Sequence, residues 1–517
     1  MGPMLARCCG AALVGLEAVP VAVEVDIAPG LPGLQIVGLG DAAVQESRER
    51  VRAALRNSGR RPPLTRVIVS LAPADLRKQG PAFDLPIALA VLAASGQLDP
   101  RQLQGLWCAA ELGLGGELRP VRGALALALA AQRAGARALL VAADNAAEAA
   151  LVEELPVWPA SSLQEVLQLL RRPPPPRPPA AAAGGAACTV PQAGRDLAEV
   201  QGQSHGRRAL EIAAAGNHHL LLVGPPGSGK TLLAQCLPAL LPPLSAAEQL
   251  ELTQLYSVAG LLPSQRGLMA QRPFRSPHHS CSAAALVGGG STLNPGELCL
   301  AHRGVLFLDE LAEFRRDVLN QLRQPLEQGE LWLSRARLRL RYPCAITLVA
   351  ATNPCPCGWA GDPERSCSCG SGQRQRYWSR LSGPLLDRID LQVVMQRLGG
   401  AQLRRGQGAH PEPAECSSLV AGRVAAARQR MARRNPGGLS NGALTAAQLQ
   451  RNGCFSRAAL DLWQRAIDQR GLSARVAERL LRMARTIADL DATPEVSPSA
   501  IAEALSFRSF DQRRQGL

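Results

Sequence analysis

From Leu5 to about Leu170, short apolar runs alternate with stretches whose apolar residues recur at helical spacing. Val19–Val25 and Gly33–Gly38 read as strands, and Asp41 caps a charged helix over 42–57. A strand at 67–71, an apolar helix at 85–94, a strand at 106–111, a helix at 121–133 and a strand at 138–141 continue the alternation. The pattern predicts a self-contained α/β domain over residues 1–170. Residues 171–187, Arg-Arg-Pro-Pro-Pro-Pro-Arg-Pro-Pro and then an Ala/Gly run, break it. Proline removes helical hydrogen bonds and favours extended chain, so 171–190 is expected to be a semi-rigid spacer.

Beyond the spacer, a helix runs through Ala215 and the buried-strand run His219–Val223 empties into Gly224-Pro225-Pro226-Gly227-Ser228-Gly229-Lys230-Thr231. Residues 232–237 then open a helix. Strand, glycine turn and helix in that order form the setting of a phosphate loop. Gly224, Gly227 and Gly229 let successive N–H groups turn inward, and the helix N-terminus adds its positive end. Lys230 would reach the β and γ phosphates of ATP, and the Thr231 hydroxyl would hold Mg²⁺. The chain carries 57 basic residues, yet its only lysines are Lys78 and Lys230. A slim point charge is retained where a planar guanidinium would fit poorly.

Two more apolar runs end in polar residues. Gly304–Leu308 leads to Asp309 and Glu310, which suit Mg²⁺ binding and polarisation of an attacking water. Ile346–Thr352 leads to Asn353, suited to hold the same water or the γ phosphate. Leu381–Leu391 presents Arg388 between carboxylates, and in a ring such an arginine reaches the γ phosphate of the neighbour. Arg475, opening an amphipathic helix, offers a second. These features predict an ATPase core over 191–395, a connector over 396–415 and an all-α lid over 416–517, with helices at 460–469, 474–490 and 498–506.

Leu331–Tyr342 alternates strictly, which places Arg335, Arg337, Arg339 and Arg341 on one face at period 2. That face either tracks nucleic-acid phosphates without sequence preference or is simply a solvated basic surface. Arg272, Arg275, His278 and His279, followed by Gly288–Gly290, are a second candidate; a metal is the other use for the paired histidines. Cys355, Cys357, Cys367 and Cys369 form two C-x-C pairs nine residues apart. They can make a closed tetrahedral Zn²⁺ site, although the one-residue spacing is tighter than usual; the alternative is four free thiols.

Charge sharpens the partner question. The formal net charge is +15. It divides as +2 over residues 1–190, +4 over 191–395 and +9 over 396–517, so the surplus lies at the C-terminal end. A basic region without large apolar anchors favours nucleic acid over membrane. No uncharged 18-residue apolar run and no signal peptide is present, and the 14 cysteines are scattered. A cytoplasmic protein with reduced thiols is the expectation.

Lys78-Gln79-Gly80-Pro81-Ala82-Phe83-Asp84 resembles the nucleophile loop of Lon-type proteases, with Ala82 where a serine would fall. The resemblance implies a Lon-like, ribosomal-S5-type domain without peptidase activity. The phosphate loop, Phe274–His279, Leu306–Leu311, Asn353-Pro354, Leu381–Leu391 and Ala484–Leu490 together resemble the ComM/YifB family of magnesium-chelatase-like AAA+ ATPases, from about Leu5 to Gln512. That resemblance implies a homo-hexameric ring ATPase using ATP and Mg²⁺. It further implies a helicase that drives branch migration of incoming DNA in natural transformation, with single-stranded, forked or junction DNA and recombination proteins as partners. The arginine hairpin likewise resembles the one AAA+ helicases aim into their central channel. Two other functions share the motifs: the ATPase subunit of a magnesium chelatase and a protein-remodelling ATPase.

Overall fold

The computed structural model describes residues 5–174, 194–262, 267–290, 293–335, 338–362, 364–397 and 415–508, without the side chains of Arg335 and Leu338. Most of the expected spacer and connector therefore lies outside the described residues, as does Arg337. The chain divides into two compact units, Met1–Val190 with Ala246–Ala270, and Pro191–Ser245 with Gln271–Leu517.

The first unit is built on a seven-stranded mixed sheet. Its spatial order is Gly33–Val37, Arg66–Ala72, Glu17–Ala28, Ala6–Val14, Leu106–Ala109, Ala138–Ala142 and Val157–Ala160. Side chains alternate across a pleated strand, so the Leu106–Ala109 and Ala138–Ala142 strands each feed two cores. Leu106, Cys108, Ala138 and Leu140 join one core with the wholly buried helix Asp84–Ala94. Trp107, Ala109, Leu139 and Val141 join the other with the helix Ala124–Arg133. Ala82 sits in a short turn before the buried helix, and Lys78 is fully buried with its ammonium on the Pro73 carbonyl. Asp84, at the head of that helix, is held by Arg50 at 2.6 Å and by the Leu112 N–H at 3.1 Å.

The helix Ala246–Ala259, in the stretch expected to belong to the ATPase core, groups with this first unit instead. Leu250 packs against the second core, while Gln254 donates to the Leu16 carbonyl at 2.6 Å and Ser257 bonds Glu148.

The second unit holds a five-stranded parallel sheet ordered Phe274–Arg275, Val305–Leu308, Thr347–Thr352, Leu220–Val223, Leu391–Val394. Strands buried on both faces read as continuous apolar runs, and here every residue of the Leu220, Val305 and Thr347 strands is buried. The C-terminal helices Ser417–Arg434, Arg457–Arg470, Ala474–Leu490 and Pro498–Ser506 share one hydrophobic core with this sheet. Val420, Val424 and Leu480 pack in the same cluster as Leu220, Phe307 and Val393. A buried polar network pins them further: Asp489 takes both Arg434 and Arg485, and Thr486 meets His218 at 2.8 Å. Among the described residues no helix is long and apolar enough to cross a membrane.

Candidate functional site

Because all five strands run the same way, the residues that follow them gather along one edge. Val223 lies opposite both Thr352 and Val394, and Leu308 opposite Ala350, so Gly224, Asp309 and Asn353 emerge side by side. The chain turns at Gly227 (φ 76°) and Gly229 (φ 86°), conformations that a Cβ disfavours, and helix Lys230–Leu240 starts there. Gly224 has a second constraint: a Cβ on it would lie 2.6 Å from the Met395 carbonyl.

Lys230 is buried, and its ammonium donates to the Gly224 and Pro225 carbonyls at 2.6 and 2.9 Å and to Asn353 Oδ1 at 3.2 Å. Burial pulls its pKa down, against the raising charges of Asp309 and Glu310. Thr231 Oγ1 donates to Asp309 Oδ2 at 3.0 Å, and the Glu310 N–H caps Asp309 Oδ1 at 2.9 Å. Ser228 Oγ is buried with no hydrogen-bond partner. The first N–H groups of any helix lack partners within it, so this cradle suits a polyanion.

Three partners were missed from sequence. Gln203 braces the loop, donating to the Ser228 carbonyl at 3.2 Å and to the Gln396 carbonyl at 2.6 Å. His279 Nδ1 lies 3.1 Å from Glu310 Oε2. Among the described residues the two histidines join no group of three or more potential metal ligands. Arg275 makes a two-pronged pair with Glu297 at 2.6 Å, and Arg272 donates to the Pro242 and Arg303 carbonyls. Both arginines of the second DNA candidate are thus engaged internally.

The third missed partner is Glu327, which draws Arg388 and Arg475 to the opposite edge of the sheet. Arg388 precedes the strand Leu391–Val394, whose first residue lies beside Leu220. A four-residue strand spans ~13 Å, so neither arginine joins Lys230 within one chain. Instead both grip Glu327, Arg388 at 2.9 Å and Arg475 at 3.0 Å. Beside them a cavity of about 240 Å³ is lined by Arg475, Arg479, Arg482, Glu327, Asp390 and His219.

Burial alone would raise the Asp390 carboxyl, but Arg479 at 2.7 Å and the neighbouring histidines hold it well below the usual range. His219 is pushed down to about 4, chiefly by burial, and its Nδ1 accepts the Leu348 N–H at 3.1 Å. A histidine whose pKa is depressed on folding contributes stability above its unfolded value, and that contribution is lost as pH falls toward the folded one. The urea midpoint is therefore expected to drop between pH 6.5 and about 4. His219→Gln should flatten that slope, as read by unfolding curves at stepped pH.

Glu330–Arg335 and Leu338–Pro343 form the expected hairpin, antiparallel and two-stranded. Leu331, Leu333, Leu340 and Tyr342 are buried on one face, and Trp332, Ser334, Arg339 and Arg341 lie exposed on the other. The outer face is less uniformly basic than its spacing implied. Arg341 is paired with Glu330, whereas the Arg339 guanidinium lies 4.5 Å from the Trp332 ring centre. The four cysteines converge in one place, with all four sulfurs within 4.8 Å of one another.

Known proteins match this chain along its length. The family model described as "Subunit ChlI of Mg-chelatase" matches residues 23–145, "Magnesium chelatase, subunit ChlI" matches 196–403, and the subunit ChlI C-terminal model matches 414–508. An uncharacterized protein of Mycobacterium tuberculosis is 45% identical over 99% of this chain and 100% of its own. YifB of Escherichia coli is 43% identical over 97% of this chain and 96% of its own, and Competence protein ComM of Haemophilus influenzae is 41% identical over 98% of each. With parallel-sheet core, glycine cradle and full-length similarity in agreement, the chain belongs to the ComM/YifB family of magnesium-chelatase-like proteins.

Proposed function

We propose that the chain is the ATP-hydrolysing subunit of a homo-hexameric ring that moves DNA, driving branch migration of incoming strands during natural transformation. The observation that carries this reading is the convergence of Lys230, Thr231, Asp309 and Asn353 around a loop with two left-handed glycines. The residues fit ATP and Mg²⁺: an unpartnered buried Ser228 hydroxyl and a buried ammonium belong to the loop that opens the helix Lys230–Leu240, whose first N–H groups find no partner within the helix. Thr231 and Asp309 would hold Mg²⁺, which when bound neutralises charge on the phosphates. Lys230 binds phosphate oxygens, Glu310 orients the attacking water, and Asn353 fixes that water or the γ phosphate.

Arg388 and Arg475, at the far edge, would serve the site of a neighbouring subunit, which supports a ring. The competence name of the Haemophilus influenzae relative supports DNA uptake as the setting. The hairpin supports DNA as the cargo, because an exposed aromatic beside an arginine that makes no ion pair among the described residues suits a base stacked over a phosphate. A second reading, the ATPase subunit of a magnesium chelatase, is favoured by the descriptions of the matching family models.

DNA binding separates the two. Trp332→Ala and Arg339→Ala are each expected to weaken single-stranded DNA binding about tenfold, measured by fluorescence anisotropy. Only Arg339→Ala should also reduce the slope of log affinity against log salt, by about 0.7. DNA should raise ATP turnover of the intact protein; no DNA binding at low salt, with ATP turnover intact, would sink the motor reading and leave the chelatase one.

A further inference from the structure

We propose that Cys355, Cys357, Cys367 and Cys369 hold one structural Zn²⁺, and that this metal fixes the loop backing Asn353 and the glycine cradle. Its second half rests on the nucleotide reading above; the first does not.

The geometry is that of a closed thiolate site. Cys355 Sγ lies 3.3 Å from Cys357 Sγ and 3.6 Å from Cys367 Sγ, and Cys357 Sγ lies 3.6 Å from Cys367 Sγ. A tetrahedral ion with Zn–S bonds of about 2.3 Å spaces its ligands ~3.8 Å apart, and a disulfide needs about 2.05 Å. These three separations lie near the first value and well beyond the second, and all four sulfurs lie within 4.8 Å of one another. The tight C-x-C spacing therefore costs nothing in reach. Backbone N–H groups also point at the sulfurs, from Cys357 to Cys369 Sγ (3.4 Å), from Ala360 to Cys355 Sγ (3.3 Å) and from Cys369 to Cys367 Sγ (3.4 Å). Such donors stabilise thiolates and orient them toward a metal.

The loop needs a staple. Between the strand ending at Thr352 and the helix starting at Ser371, the described residues contain no helix or strand. Only Cys355 of the four is buried, so little apolar packing holds the turn. Metal binding is then folding free energy for the segment. Four thiolates in tetrahedral array select zinc, or iron, over harder cations.

The same loop touches the candidate nucleotide site. Asn353 and Cys355 are separated only by Pro354, whose carbonyl accepts the Trp378 indole N–H at 3.0 Å. Gly358 (φ 85°) lies so close to the cradle that a Cβ would sit 2.8 Å from Pro226 Cδ and 4.0 Å from Asn353 Cγ. Gly358 falls just past Cys357, so the metal sets how firmly this turn presses on Pro226 and Asn353.

The full chain, purified in reducing buffer without chelators, should contain about one zinc per chain by mass spectrometry of metals. Zinc should leave in step with modification of four thiols, followed with an organomercurial and a chromogenic chelator. Cys357→Ser and Cys369→Ser should each lose the metal. Stripping zinc should weaken binding of a fluorescent ATP analogue about tenfold, ~1.4 kcal/mol, and Zn²⁺ alone should restore it. Less than about a tenth of an equivalent of zinc with four freely titrating thiols in the native chain, or stoichiometric iron, would overturn the site. Zinc removal without a change in analogue affinity would overturn the clamp. Zinc-loaded protein that binds no analogue would instead count against the ATP reading.

Discussion

Lys230→Ala protein is expected to fold, to lose ATP turnover by about two to three orders of magnitude, and to migrate no DNA. The ammonium occupies a buried slot between two carbonyls of its own loop and Asn353. Phosphate oxygens would replace those carbonyls as partners when a triphosphate enters, so the charge acts where negative charge develops. The methylene stem removed is small, and the surrounding strands are held by their own ladder, so the thermal midpoint should stay near that of the wild type. Lys230→Arg should rescue little, because a planar fork cannot enter a slot lined by the carbonyls of Gly224 and Pro225. Steady-state ATP turnover beside a melting curve reads both halves. A Lys230→Ala chain with near-normal turnover would remove the glycine loop from the mechanism.

Arg388→Ala should cost about 10³-fold or more in turnover while leaving nucleotide affinity nearly unchanged, as expected of an arginine that meets only the transferring phosphate. Its position makes this prediction specific. Within one chain Arg388 is clasped by Glu327 at the sheet edge opposite Lys230, so in the proposed ring its contribution would be made to a neighbour. Lys230→Ala and Arg388→Ala chains, each inactive, should therefore regain turnover when mixed. Interfaces that join an intact Lys230 to an intact Arg388 would form in the mixed rings. Turnover of the wild type should also fall on dilution. Mixtures that stay as inactive as their components would place both residues in the same subunit's chemistry, against the proposed ring.

Parallel strands made the core of the site readable. A strand buried on both faces leaves an uninterrupted apolar run, and its polar exit residue is conspicuous; Asp309 and Asn353 were found that way. The order of strands in the sheet was not readable, because Val305–Leu308 and Leu220–Val223 flank a strand distant from both in sequence. Nor was the shared grip on Glu327, since Arg388 and Arg475 belong to segments that only packing brings together. Period-2 spacing placed Arg339 and Arg341 on the outer face of the hairpin but could not reveal that Glu330, across the strand pair, neutralises Arg341. The helix Ala246–Ala259 lies in the stretch expected to belong to the ATPase core, and its bonds to Leu16 and Glu148 depend on chain more than a hundred residues away.

In the proposed function, ATP hydrolysis at this site moves DNA. The most direct measurement is movement of a labelled four-way junction by the purified wild-type chain, with ATP and Mg²⁺, against the same chain with a non-hydrolysable analogue and against Lys230→Ala. Junction resolution is expected with ATP alone, and only from the wild type. Junctions left intact by a chain that hydrolyses ATP, or resolved equally by Lys230→Ala, would contradict it.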